Sequence, residues 1–319
     1  MTKPTVEVLL ATYNGARFLR EQIDSVLAQQ AVDIHILAHD DGSTDATNEI
    51  LAEYAARHPQ QLRVLQDDVR TGTAKGNFAH LLHASSAPYV AFCDQDDVWL
   101  PEKLSLSMDA MHSLETQREA DTPLLVYTDL RVVDESLRTL SESLWRTNHL
   151  RNATSPTFAQ LLTENVVTGC TALLNRPLVT LMKTTPATAQ MHDHWAALLA
   201  CGLGAMKAAP QATVLYRQHT SNVVGAIGPQ PSLAAKLLRF VSKEGAADRS
   251  RQLTLDQAQA ESLLQLYGGR LPQEHRETIE AFLALPSQAR LQRLRSVSRY
   301  GLWRTDPQRR VAQAIDLLR

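Results

Sequence analysis

The sequence predicts an α/β fold with a mostly parallel central sheet, flanking helices and a helical C-terminal region. Three observations carry that prediction. Short apolar runs alternate with helical-period segments over the first third of the chain, polar turn clusters stand where the runs end, and residues 232–319 hold helical pattern with no strand-like run.

The elements follow in order. Val6-Glu-Val-Leu-Leu-Ala is a strand that runs into the turn Thr12-Tyr-Asn-Gly, and Phe18, Leu19, Ile23, Val26 and Leu27 then recur at helical spacing. Ile34-His-Ile-Leu-Ala repeats the design. It ends in Asp40-Asp-Gly-Ser, with Thr44 or Asp45 able to cap a helix carrying Ile50, Leu51 and Tyr54. Leu62-Arg-Val-Leu reads as a third strand, residues 76–84 as a helix, and Tyr89-Val-Ala-Phe-Cys as a fourth strand delivering Asp94-Gln-Asp-Asp to its end. A helix around 101–114, a strand at Leu124-Leu-Val-Tyr-Thr-Asp, a strand and turn between Asn165 and Asn175, and a helix opening at His192-Asp-His-Trp complete the front of the chain. Successive βα units make right-handed crossovers, and such sheets bind ligands beyond the carboxyl ends of their strands. All of the early polar clusters fall at that one edge.

The chain has 319 residues, 44% hydrophobic and 21% charged, which is apolar material for one large or two modest cores and excludes disorder. A formal net charge of -2 argues against nucleic acid as a partner. The charge is unevenly spread: residues 1–229 carry 17 basic and 25 acidic side chains, residues 230–319 carry 15 and 9. Pro229 and Pro231 mark the expected boundary, giving a catalytic domain at 1–228 and a basic helical region at 229–319. Cys93, Cys170 and Cys201 are odd in number and widely spaced, so no disulfide framework or structural zinc site is expected and a reducing, cytoplasmic compartment is. No basic stretch followed by an apolar one opens the chain, so a secretory leader is not expected. The longest nearly uncharged apolar stretch, Trp195 to Met206, is well short of the ~20 residues that span a bilayer.

Asp94, Asp96 and Asp97 place three carboxylates within four residues at a strand end, a repulsion tolerated chiefly where a cation offsets it; a solvated acidic turn is the alternative. The Asp40 and Asp41 carboxylates suit the N–H and hydroxyl donors of a nucleoside, and suit equally an Asx turn with a helix cap. Lys75, between Gly72 and Gly76 ahead of a helix, is an anion contact or part of a surface loop, without the ending of a Walker A motif. Asp193 is a general base if the fold carries it over the acidic site, and otherwise a helix cap. His192 and His194, two apart on a helix, diverge too far to share a metal ion.

Taken in order, Ala11-Thr-Tyr-Asn-Gly, Asp40-Asp-Gly-Ser-Thr-Asp, Asp94-Gln-Asp-Asp-Val-Trp, Thr168-Gly-Cys, His192-Asp-His-Trp and Tyr216-Arg-Gln-His closely resemble the family 2 glycosyltransferases of the GT-A fold, a Rossmann-like architecture. Within that family the likeness is to bacterial rhamnosyltransferase-type enzymes, over roughly residues 6–225. The resemblance implies that Thr12, Tyr13, Asn14, Asp40, Asp41, Lys75, Asp94 and Gln95 bind the nucleotide sugar. Asp94 and Asp96 match the DxD pair that ligates Mg²⁺ or Mn²⁺, with His219 nearby and Asp97 behind. Asp193 matches the catalytic base, although His192-Asp-His stands where many relatives have an acidic pair. Gly169, Cys170, His192 and Trp195 fall on the acceptor side.

The implied reaction is an inverting displacement in which Asp193 takes the acceptor proton while the metal stabilises the departing nucleoside diphosphate. The implied partners are a nucleotide-diphosphate sugar, dTDP-L-rhamnose favoured, and a saccharide or lipid-linked saccharide of bacterial surface polysaccharide. A nucleotidyltransferase and a non-catalytic scaffold are the rivals. The first would want a glycine-rich basic signature near the first strand, which Thr12-Tyr-Asn-Gly-Ala-Arg is not; the second would have no reason to keep Asp94, Asp96 and Asp193. From Leu291 to Arg304 cationic and apolar residues alternate with Tyr300 and Trp303, as in a helix lying on the cytoplasmic membrane face or in one packed on the catalytic domain.

Overall fold

The computed structural model describes residues 3–219 and 242–318, so the expected boundary at Pro229 and Pro231 lies outside the described residues. Strands β1 (Thr5–Thr12), β2 (Asp33–Asp40), β3 (Leu62–Val64) and β4 (Tyr89–Cys93) form the parallel half of one sheet. The connecting helices are α1 (Leu19–Leu27), α2 (Thr47–Arg57) and α3 (Ala74–Ala84). These strands read as continuous apolar runs because both faces of the sheet are covered. Side chains alternate between two cores: Val6, Val8, Leu10, Ile34, Ile36 and Ala91 enter one, and Leu9, Leu37, Val90 and Phe92 enter the other. On the first face lie α1 and α2 with α4 (Lys103–Glu115), through Leu19, Ile23, Ile50, Leu51, Leu104 and Met108; α3 lies on the second through Phe78, Leu81 and Leu82.

The remaining strands are β5 (Val98–Trp99), β6 (Leu124–Val133), β7 (Thr139–Ser141), β8 (Leu173–Asn175) and β9 (Ala205–Arg217), and the sheet order is β3-β2-β1-β4-β8-β6-β9-β5 with β7 on β6. Here the sheet is mixed, because β8 runs antiparallel to both β4 and β6. The long strand β9 is the element that sequence pattern does not reveal. Pro210 interrupts it, and the register on β6 jumps from Ala209 opposite Thr128 to Ala212 opposite Asp129. A residue without an N–H is accommodated at such a bulge, where no ladder bond is required of it.

Short helices α5 (Leu144–Thr147), α6 (Phe158–Leu161) and α7 (Arg176–Met182) lead to α8 (His192–Leu203), buried on nearly every side. The C-terminal helices are α9 (Lys243–Tyr267), α10 (Gln273–Leu283), α11 (Arg290–Arg299) and α12 (Pro307–Leu317). Their Leu263, Ile279, Phe282 and Val297 share one buried cluster with Phe78, Trp195 and Leu198, each such burial contributing about 1.5–3 kcal/mol. Polar ties reinforce the seam: the Tyr267 hydroxyl donates to the Leu181 carbonyl at 2.9 Å, and buried Glu164 accepts from Thr305 Oγ1 at 2.5 Å and from Arg309 at 2.8 Å. No helix among the described residues is long and apolar enough to cross a membrane.

Candidate active site

The C-terminal ends of β1, β2 and β4 define the site. Thr12 and Asp40 are partners in the β1–β2 register, and Thr12 Oγ1 donates to Asp40 Oδ1 at 2.9 Å. Asp40 also accepts from the backbone N–H groups of Gly42 and Ser43, from the Ser43 hydroxyl and from Asn48. Burial raises the Asp40 pKa, yet these donors, Ser43 first, bring it below the ordinary carboxylate value. Asp41 closes the next loop instead, accepting from Thr71 N at 2.5 Å, Thr71 Oγ1 at 3.0 Å and Gly72 N at 2.8 Å. Both carboxylates therefore build turns. Asp40 also faces a cleft of about 330 Å³ with Asn48, Gln66, Asp67 and Arg70.

The loop after β1 is clamped to the loop after β4. Tyr13 N donates to Gln95 Oε1 at 2.8 Å and Gln95 Nε2 donates to the Tyr13 carbonyl at 2.9 Å, so this amide joins the two loops. Gly15 must be glycine for that clamp to close, because a Cβ would lie 2.2 Å from Gln95 Oε1. Asn14 takes a left-handed φ of 50° and accepts from Thr44 N at 2.8 Å, which leaves the Tyr13 ring 57% exposed above the edge. Lys75 is engaged elsewhere: its ammonium donates to the carbonyls of Ala187 and Ala189, tying α3 to the segment that enters α8.

Negative charge gathers below the clamp. Asp94 and Asp97 bring carboxylate oxygens within 4.8 Å of each other and of the Cys170 sulfur, while Asp96 accepts from His219 Nε2 at 2.9 Å. Burial, and then the Asp96 and Asp193 carboxylates, raise Asp94; burial, and then Asp96 and Asp94, raise Asp97 well above the usual range. Asp97 Oδ1 accepts from Arg217 N, but its buried Oδ2 has no hydrogen-bond partner among the described residues. Buried carboxylates that repel one another, one with an orphaned oxygen, fit a hard divalent cation of the Mg²⁺ or Mn²⁺ type. Burial pushes the Cys170 thiol up, so it stays protonated and contributes no thiolate.

Asp193 stands in the first turn of α8 and is not its cap, since Met191 holds that position. Its Oδ2 accepts from Gly169 N at 2.9 Å, and its Oδ1 from His194 N at 2.6 Å and Asn165 Nδ2 at 3.2 Å. Burial pushes the carboxyl up to about 6, the largest effect, against these donors, which lower it. Asp193 bonds Gly169, whose neighbour Cys170 has its sulfur within 4.8 Å of an Asp94 carboxylate oxygen, so the start of α8 lies beside the acidic loop.

The structure does not bring His192, Trp195 or Cys170 to an open acceptor face. His192 lies between Phe78 and Phe92, at ring-centroid distances of 4.1 and 4.6 Å, and burial pushes it down to about 3, keeping it neutral. Trp195 is wholly buried against Tyr267, and Cys170 wholly buried beside Asp97. The reason is that α8 is the central helix of the second core, so only Asp193 at its start reaches the edge. His192 and His194 do diverge: His194 bonds the Leu161 carbonyl and Gln259. Sequence reasoning missed Arg217 and Asn165. Arg217, only 1% exposed, donates to the Asp96 carbonyl and to Glu21, and lies 4.4 Å from the centre of the Phe18 ring, so it braces the acidic loop from beneath; its one signal was its place in Tyr216-Arg-Gln-His.

A sheet covered on both faces thus carries a cluster of carboxylates at its carboxyl edge, where ligands bind in such sheets. Residues 7–180 match the model for glycosyl transferase family 2. The chain belongs to that family and is a glycosyltransferase, which sets aside the nucleotidyltransferase reading. It is 28% identical over 228 residues, 68% of this chain and 74% of the other, to dTDP-rhamnosyl transferase RfbG of Shigella flexneri. Its fold, GT-A, is similar to that of S. aureus TarS 1-349 in complex with UDP-GlcNAc, with a TM-score of 0.53, 15% identity and coverage of 95% of this chain and 93% of that one. It is also similar to the mannosyltransferase PcManGT from Pyrobaculum calidifontis in complex with GDP-Man and Mn²⁺, with a TM-score of 0.53, 17% identity and coverage of 100% and 86%.

Proposed function

We propose that this glycosyltransferase moves L-rhamnose from dTDP-L-rhamnose onto a hydroxyl of a saccharide, free or lipid-linked, in the assembly of a bacterial surface polysaccharide such as O-antigen or capsule. The observation that carries the reaction is Asp193, held by three donors, one of them Gly169 N, beside the Cys170 that touches the acidic loop. The dTDP-rhamnosyl transferase RfbG of Shigella flexneri, which the chain resembles, supports this donor.

In this reading Thr12, Tyr13 and Asn14 line the nucleotide pocket, with the exposed Tyr13 ring available to stack on the base. Asp40 acts through the turn that shapes the cleft, and Lys75 through the segment it ties down. Asp94 and Asp96, with His219 beside Asp96, would hold Mg²⁺ or Mn²⁺, which when bound supplies positive charge opposite the departing diphosphate. Asp193 accepts the proton of the acceptor hydroxyl as that oxygen attacks the anomeric carbon from the face opposite the diphosphate, so configuration inverts. Gly169 and Asn165 orient the base. The enzyme works in the cytoplasm, residues 1–228 carrying the chemistry and the basic region 229–319 meeting anionic lipid through the exposed arginines of α11.

The test is a donor screen. With a divalent cation and a rhamnose-accepting oligosaccharide, dTDP release is expected from dTDP-L-rhamnose at a rate well above that from UDP- or GDP-sugars. Turnover confined to a UDP- or GDP-sugar would overturn the donor, and release of pyrophosphate would overturn sugar transfer.

A further inference from the structure

A second cluster of ligating side chains lies outside the acidic loop, where β2 ends against α3. His39 is 1% exposed, and its Nδ1 lies 2.8 Å from Asn77 Oδ1. Asn77 Nδ2 donates to the carbonyls of Thr12 and His39, so its oxygen is the atom turned toward the imidazole and His39 Nδ1 is the donor. In the neutral ring the lone pair then sits on Nε2. That atom is buried and has no hydrogen-bond partner among the described residues. Asp67 lies beside it, with 3.4 Å between Nε2 and Asp67 Oδ1, and the other Asp67 oxygen lies 2.8 Å from His80 Nε2. The two imidazole rings meet edge to face at 4.6 Å.

We propose that His39 Nε2, His80 Nε2 and the Asp67 carboxylate form a binding site for a Zn²⁺-type transition-metal ion. The three ligand atoms lie within 4.8 Å of one another. Tetrahedral Zn²⁺ with bonds of about 2.0–2.1 Å separates its ligand atoms by roughly 3.3 Å. The His39–Asp67 spacing already has that value, and His80, 24% exposed, has room to move to it. Two neutral imidazoles and one carboxylate favour Zn²⁺ over the hard cations suited to Asp94 and Asp96. Asn77 supplies the hydrogen bond behind a ligating histidine that fixes tautomer and ring orientation. The partly exposed side leaves the fourth position to water. The ion would pin Asp67, a wall of the cleft beside Asp40, to β2 and α3.

The experiment is calorimetric titration of the full chain with Zn²⁺ in excess Mg²⁺, which competes for the acidic loop of Asp94 and Asp96. One Zn²⁺ per chain is expected, with zinc absorption spectra showing two imidazole ligands. His80→Ala and Asp67→Ala alter partly exposed positions and leave the core intact. Each is expected to weaken binding by more than about 100-fold, beyond the roughly 10–100-fold typical of a group behind a ligand. Asp96→Ala is expected to bind Zn²⁺ as the unaltered chain does. No uptake in excess Mg²⁺, retention of affinity in both His80→Ala and Asp67→Ala, or loss of the site in Asp96→Ala would each overturn the proposal.

Discussion

Asp193 is a carboxylate held ready by its backbone. A general base must be unprotonated, and burial pushes this one up to about 6. Acceptor turnover should therefore rise with pH through about 6 and level off above it; a profile still flat down to pH 5 would remove Asp193 from the role. Asp193→Asn is expected to lower kcat by about 10²–10⁴-fold while donor affinity stays close to that of the unaltered chain, measured by nucleotide-sugar titration. Asp96→Ala tests a different function, since Asp96 is only partly buried and its partner is His219. Loss of cation-dependent turnover with a melting temperature little changed is the expected result. Gly15→Ala should break the Tyr13–Gln95 clamp, because its Cβ would meet the Gln95 side chain. Loss of the clamp's two hydrogen bonds costs about 1–3 kcal/mol, readable as a lower melting temperature together with weaker donor binding.

At the scale of elements, β9 and α11 carry the arguments. Strand β9 brings Arg217 under the acidic loop and runs beside β6 for most of its length, so it positions the site from the far end of the sequence. Helix α11 is amphipathic with its apolar side turned inward: Val297 is buried and Leu294 partly buried, whereas Arg290, Arg295 and Arg299 are exposed. Packing thus accounts for most of the apolar residues that also suggested membrane contact. What faces outward is mainly charge, with Leu291 67% exposed among it. Replacement of the three arginines by glutamine is expected to cut retention on anionic vesicles at low ionic strength by about 10²-fold, at roughly 1 kcal/mol per arginine. If the unaltered chain is not retained there, the membrane role is wrong.

Over the whole molecule, the helical C-terminal region covers the face on which α8 lies. Phe282 is 1% exposed and part of the cluster that contains Trp195, so Phe282→Ala should lower stability by about 3–5 kcal/mol in chemical denaturation although it is remote from Asp94. A loss under 1 kcal/mol would show that the helices merely rest on the catalytic sheet.

Much of this was legible in the chain itself. The first four strands, their helices and the Asp94-Gln-Asp-Asp turn are local features: a two-residue period, a helical period and the turn residues between them each declare themselves within a dozen positions. Strand β9 did not, because Pro210 breaks its pattern and only pairing with β6 makes it a strand. Nor did the sequence separate His192 and Trp195 from their neighbour Asp193, since one helical turn looks alike whichever side the core takes. The sequence alone determined which chemical groups this protein has and at which strand ends they stand. The tertiary structure alone decided which of them meet: Asp193 turned toward Asp94, Arg217 under Asp96, and His39 beside His80, pairings that depend on burial and long-range contact rather than on spacing along the chain.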